Sequence, residues 1–217
     1  SLVEIRGHEQ AMQRLVQERA NSLVQATATL VTVRVEQFQD TLVELADALS
    51  TDAPRLTVSQ SDRIRAQDPI ARGCDLALYA TDGQLISATT TAPWLRQPAI
   101  GVLIQAVLTA QADRVVTLYD EEAQSWLLVQ AALGPGQPPT AVLVGAIPID
   151  TLMLPGLVRS LAPGPSAELH LEGATGQILA ELARPHAAEE STATDKVVLA
   201  QTTVPATGWQ VVLHESW

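Results

Sequence analysis

The stretch LVEIRGHEQAMQRLVQERANSLVQATATLVTVRVEQFQDTLVELADAL, residues 2–49, decides the fold of this chain. It contains no proline, and its only glycine, Gly7, lies near its start. Because glycine and proline are the residues that interrupt helices, the stretch predicts a single helix far longer than the globular average. The alternative is a pair of shorter helices folded back near residue 30, but no turn signal occurs there.

One side of this predicted helix is apolar. Apolar residues recur along it at helical spacing: Met12, Leu15, Val16, Leu23, Leu30, Phe38, Leu42, Leu45 and Leu49. Such a stripe runs along one face for roughly five heptads. We expect it to pack against the rest of the chain, against the helix of a second copy, or against both in succession.

After residue 71 the apolar period changes from helical spacing to alternation, which predicts strands. A short helix is predicted before that point, at residues 61–66. The strands are predicted at residues 75–80, 84–88, 114–119, 125–133 and 140–147, with one helix from Pro98 to about residue 112. Thr81-Asp82-Gly83 is a typical hairpin turn between the first two strands. This order predicts an antiparallel sheet with helices on one side.

The same hairpin pattern then returns on a smaller scale. Residues 148–161 predict a short helical connection, and residues 184–195 predict a surface loop. Strands are predicted at residues 167–172, 177–180, 196–204 and 209–214. The fold class is therefore α+β, with a long N-terminal helix at 1–51, a first lobe at 52–150 and a smaller second lobe at 151–217.

Composition excludes several classes of protein. The net charge of −11 repels phosphate backbones, so nucleic-acid binding is not expected. The single cysteine, Cys74, excludes a disulfide framework within the chain and precedes an apolar run, so we expect it to be a buried small hydrophobe. No apolar run reaches the ~20 residues that span a bilayer. Any membrane spans are expected outside residues 1–217.

The order of elements resembles that of double Cache domains, which are extracytoplasmic sensor modules of bacterial chemoreceptors and histidine kinases. Three stretches carry the resemblance: LALYATDG at 76–83, VLVGAIPIDTL at 142–152 and TGWQVV at 207–212. It implies two PAS-like lobes, with 52–150 membrane-distal and 151–217 membrane-proximal. It also implies a membrane receptor of two-component or chemotactic signal transduction, which forms a homodimer through the N-terminal helix and binds a small molecule in the distal lobe.

Trp94 and Arg96 are the first candidates for ligand binding in that lobe. The Arg96 guanidinium suits a carboxylate, and the Trp94 ring offers a flat wall for an apolar or cationic group such as an amine. In the alternative interpretation, Trp94 packs in the core and Arg96 is a solvated residue at a helix start. The amino-acid-binding pattern of the family has tyrosines beside its tryptophan. This chain lacks them, so the resemblance does not imply an amino-acid ligand.

Tyr119, Asp120 and Trp126 flank the turn between the third and fourth predicted strands. They are further candidates for lining a pocket. The alternative is an ordinary hairpin end, with the two aromatic rings paired across the strands.

Catalytic chemistry has little support in the sequence. The histidines His8, His170, His186 and His214 are scattered, with none at metal-ligand spacing, so no zinc or iron site and no cofactor is predicted. Serine-nucleophile and phosphate-loop patterns are missing as well. Two hypotheses remain for a chain that is not an enzyme: a ligand sensor, or a structural dimerisation or protein-interaction module without a small-molecule ligand.

Overall fold

The structure is a computed structural model that describes residues 2–49, 56, 73–110, 114–136, 138–153, 167–183 and 196–216. The helix predicted at 61–66, most of the predicted connection up to residue 161, and the loop predicted at 184–195 lie outside the described residues.

The long helix is confirmed: α1 runs unbroken from Leu2 to Asp47. The chain divides into two compact units, and each takes part of α1. The first-sheet unit is residues 34–152, and the second-sheet unit is residues 1–33 with 153–217. Among the described residues, no helix has both the length and the apolar character to cross a membrane.

The first-sheet unit contains an antiparallel sheet of five strands in the order β2-β1-β5-β4-β3. Its elements are β1 (Asp75–Ala80), β2 (Leu85–Ala88), a 3-10 turn (Pro93–Arg96), α2 (Pro98–Ala110), β3 (Arg114–Asp120), β4 (Ser125–Leu133), β5 (Ala141–Pro148) and α3 (Ile149–Leu152). The predicted DG turn closes the first hairpin, where Gly83 takes a positive φ of 88° and its N–H donates to the Ala80 carbonyl at 2.9 Å. Cys74 is buried, as expected.

Helices cover both faces of this sheet, so the prediction of helices on one side is wrong. One face carries an apolar cluster that includes residues of α2. On the other face, Gly145 of β5 lies under α1: a Cβ placed there would come within 2.5 Å of Leu42 Cδ2 and 3.1 Å of Phe38 Cζ. The physical reason is that the apolar stripe of α1 needs a surface to cover, and β5 is buried along nearly its whole length.

The second-sheet unit contains four antiparallel strands in the order β7-β6-β9-β8. They are β6 (Ala167–Glu172), β7 (Ile178–Ala183), β8 (Lys196–Thr203) and β9 (Gln210–Ser216). The N-terminal part of α1 lies against this sheet, because Gln17 Nε2 donates to the Leu199 carbonyl and Gln25 Nε2 donates to Thr202 Oγ1, both at 2.8 Å. The predicted α+β fold, with a long helix and two sheets of which the second is smaller, is confirmed.

Candidate ligand-binding site

Trp94 lies in the apolar cluster between the first sheet and α2. It lies on the Pro93–Arg96 turn and belongs to the same cluster as Ile100, Leu103 and Ile104 of α2, and it is only 1% exposed. Its indole Nε1 is buried and has no hydrogen-bond partner. Buried indole N–H groups usually find an acceptor, so this donor is an exception inside an otherwise apolar environment.

Two hydrogen bonds hold the turn in place. The Tyr79 hydroxyl on β1 donates to the Leu95 carbonyl at 2.9 Å, and Gln97 Nε2 donates to the Tyr119 carbonyl at the end of β3 at 3.2 Å. Burial raises the pKa of Tyr79 to about 12, so this phenol keeps its proton at neutral pH and remains a donor. The backbone around Trp94 is therefore tied to two different strands.

Arg96 ends the turn and is exposed to solvent. Its guanidinium is two residues from the buried indole. The turn therefore carries a solvated cation and, two positions earlier in the chain, a buried N–H donor without an acceptor.

The other three predicted residues form the end of the β3–β4 hairpin. Tyr119 and Trp126 are register partners, with ring centroids 5.1 Å apart in an edge-to-face arrangement. Asp120 is buried, and its Oδ1 accepts hydrogen bonds from the backbone N–H groups of Glu122 and Ala123. These contacts are those of a hairpin end with an aromatic pair and a turn-capping carboxylate.

The structure does not gather all five predicted residues on one surface. Side chains alternate between the faces of a strand, and Leu118 and Leu127 belong to the cluster that contains Trp94. Tyr119 and Trp126 are their immediate neighbours along the strands, so these two rings lie on the opposite face of the sheet. The Gln97–Tyr119 hydrogen bond links the segment after the turn to the hairpin end.

Gln130 is a buried polar residue that the sequence analysis passed over. It lies on β4 directly opposite Gly145, on the face covered by α1, and is 1% exposed with Oε1 unpartnered. The side-chain amide of Gln39 on α1 is also buried without a partner. The signal in the sequence was a single amide within the apolar run Leu127–Ala132.

A second cluster of polar groups lies in the second-sheet unit. His170 and Glu172 on β6 and His214 on the neighbouring strand β9 bring potential metal-ligating atoms within 4.8 Å of one another. Spacing along the chain concealed this arrangement, because the two histidines are far apart in sequence and only strand pairing joins them. In the same unit, a groove of about 190 Å³ is lined by Val16, Arg19, Ala20, Leu23, Ala167, Leu199, Leu213 and Glu215.

No protein-family model and no curated protein matches this sequence. Solved structures do match. The ligand-binding domain of the Pseudomonas aeruginosa amino-acid chemoreceptor PctC, in complex with GABA, is 18% identical with a TM-score of 0.61, covering 89% of this chain and 96% of its own. The corresponding domain of Pseudomonas fluorescens CtaA, with L-isoleucine, is 13% identical with a TM-score of 0.62, covering 96% and 95%.

The extracellular domain of rpHK1S-Z16, described as a histidine kinase, is also similar, at 14% identity and a TM-score of 0.57. The match covers 99% of this chain and 97% of that domain. At such identities the likeness concerns the fold alone, and it extends over both sheets and the long helix. The chain therefore has the fold of the ligand-binding domains of bacterial chemoreceptors, which is the double Cache fold that the sequence resembles.

Proposed function

We propose that this chain is the extracytoplasmic ligand-sensing domain of a transmembrane receptor, a chemoreceptor or a sensor histidine kinase, and that the segment itself is not an enzyme. The small molecule binds in the first-sheet unit, beside the Pro93–Arg96 turn. The observation that carries this proposal is the buried Trp94 Nε1 without an acceptor, in a fold shared with ligand-binding domains.

A buried donor without a partner costs about 1–3 kcal/mol, because it has lost water and gained nothing. A ligand that brings an acceptor oxygen to Trp94 Nε1 removes this cost. The Arg96 guanidinium then supplies a charged donor at the solvent side of the same turn. A carboxylate satisfies both requirements, whereas a purely apolar molecule satisfies neither.

The ligands of two similar structures agree with this chemical class. GABA, bound in the PctC domain, and L-isoleucine, bound in the CtaA domain, each carry a carboxylate and an amine. For this chain we propose a small carboxylate, with or without an amine. Signalling requires only that the ligand bind one of two arrangements of the receptor more tightly than the other.

A thermal-shift screen of small carboxylates, amines and sugars tests the proposal, with Arg96→Ala as the site variant. We expect a carboxylate to raise the melting temperature of the wild type. Arg96→Ala should weaken the best hit by about 10- to 100-fold, the equivalent of a charged hydrogen bond of roughly 1.5–3 kcal/mol. Arg14→Ala, which removes an exposed arginine of α1, is the matched control and should bind as the wild type does.

Two results would contradict this site. If Arg96→Ala and Arg14→Ala bind the hit equally well, the ligand is held elsewhere. If a broad screen yields no hit, the protein-interaction hypothesis takes its place.

We further propose that the chain forms a homodimer through the N-terminal part of α1. Residues 7–19 are exposed, including Met12 at 54% and Leu15 at 63%. Gln17 faces the second sheet, and Leu15, two residues earlier, points to nearly the opposite side of the helix. Met12, Leu15 and Val16 follow the i, i+3, i+4 spacing of a helix-pairing face, so a second α1 is the occupant that fits.

Leu15→Asp tests the dimer by introducing a charge at the centre of this face. We expect the wild type to sediment as a dimer and Leu15→Asp to shift to monomer by at least tenfold in dissociation constant, measured by analytical ultracentrifugation. Gln10→Asp adds the same residue at an exposed polar position of α1 and should remain dimeric. Identical behaviour of the two variants would exclude this face.

A further inference from the structure

We propose that the second sheet binds a divalent transition-metal ion, for which zinc is the reference, through His170, Glu172 and His214. This site lies in the second-sheet unit, whereas the proposed carboxylate site lies in the first-sheet unit. The two sites therefore involve different residues and different ligand chemistry. Either can be present without the other.

Strand pairing creates the cluster. His170 and Glu172 are two residues apart on β6, so their side chains leave the same face of the sheet. On β9, Val212 and Gln210 are their register partners, and His214 lies two residues beyond Val212 on that face. The rings of His170 and His214 consequently come to 5.3 Å between centroids.

The distances suit a metal after small side-chain adjustments. His214 Nε2 lies 3.6 Å from Glu172 Oε1, and all three ligating atoms lie within 4.8 Å of one another. Zinc–nitrogen and zinc–oxygen bonds of about 2.0–2.2 Å place tetrahedral ligands roughly 3.3–3.5 Å apart. The distance between His214 Nε2 and Glu172 Oε1 is therefore already close to that between two zinc ligands. Rotation of the side chains brings the third ligating atom to the same distance.

The environment of the cluster also favours a metal ion. His170 is buried, while Glu172 and His214 are partly exposed, which leaves a route for an ion and for a bound water molecule. His214 Nδ1 is buried and without a hydrogen-bond partner, so no contact on that nitrogen fixes the ring tautomer. Two imidazoles and one carboxylate are a common donor set for zinc, and softer than the all-oxygen sets that magnesium prefers.

Glu168 lies beside this set on the same face of β6. Its Oε2 is 3.4 Å from His170 Nε2. Carboxylates in this position orient ligating histidines in zinc proteins and increase their basicity. The net charge of −11 adds a general attraction for cations.

The competing interpretation is a pair of histidine–carboxylate contacts with no ion. A titration of the full 217-residue chain, stripped with EDTA, with zinc chloride distinguishes the two. We expect one zinc per chain by isothermal titration calorimetry, a zinc-dependent rise in melting temperature, and no competition from excess magnesium.

The site variants are His214→Ala and Glu172→Gln, and the matched control is His8→Ala, which removes an exposed histidine of α1. We expect His214→Ala to weaken zinc binding by about 100-fold or more, since even partners outside the ligand set are worth roughly 10- to 100-fold. Glu172→Gln keeps the shape of the side chain and should weaken binding at least tenfold. His8→Ala should leave it unchanged.

Circular dichroism melts without zinc show whether each variant is folded. If His214→Ala is not, the comparison of zinc affinity is made between the wild type and Glu172→Gln. Zinc binding that is equal in wild type, His214→Ala and Glu172→Gln would overturn the proposal. So would a wild type that binds zinc no more tightly than magnesium. The carboxylate screen is carried out on the same zinc-free protein. A screen without a hit therefore leaves the result of the zinc titration unaffected.

Discussion

We expect Phe38→Ala to lower the free energy of unfolding by about 3–5 kcal/mol, the range measured for large-to-small changes of buried aromatic residues. Phe38 is 1% exposed and lies on α1 over Gly145 of β5, which has no side chain to fill the space that the substitution leaves. The cavity therefore stays open. Urea unfolding followed by far-ultraviolet circular dichroism measures the change as a shift in midpoint.

Glu36→Ala is the control for this substitution. Glu36 is exposed on the same helix and within the same unit, so its replacement should change stability by no more than about 0.5 kcal/mol. If Phe38→Ala were as mild as Glu36→Ala, the C-terminal part of α1 would not cover the first sheet. The conclusion that helices cover both faces of the first sheet would then be wrong.

The packing of α1 on the first sheet does not follow from the sequence pattern alone. The strands can be predicted from the alternation of apolar and polar residues. The first hairpin can be predicted from its DG turn, and the long helix from the absence of proline. The run from Val142 to Ile147 is apolar throughout, a pattern typical of a strand buried on both faces, yet it was interpreted with helices on one side only. Gly145 within that run was the local sign of a close approach by another element.

The candidate sites show a different limit. Tyr119 and Trp126 could be paired from the hairpin alone, because a turn fixes the register of the two strands that it joins. Their separation from Trp94 by the sheet depends on which face α2 covers, and no local pattern states that. The His170–His214 contact depends on the register of β6 against β9, strands that are joined through long intervening sequence. Nonlocal register is set by packing of the whole unit.

Trp94 offers the second large effect, because two substitutions separate its role in folding from its role in binding. Trp94→Ala should lower the free energy of unfolding by about 3–5 kcal/mol through the cavity that it leaves beside α2. Trp94→Phe keeps an aromatic ring in the cluster and removes the unpartnered Nε1–H. We expect it to stay within about 1.5 kcal/mol of wild type, since the lost packing is offset by removal of a buried, unsatisfied donor.

Ligand binding then decides what the indole N–H is for. If it donates to the ligand, Trp94→Phe should weaken the carboxylate hit by about tenfold while the unliganded protein remains folded, as measured by calorimetric titration. Trp126→Phe is the matched control, because that ring lies on the opposite face of the sheet and should not alter binding. Full retention of affinity in Trp94→Phe would mean that the indole N–H does not donate to the ligand and that Trp94 is buried for packing alone.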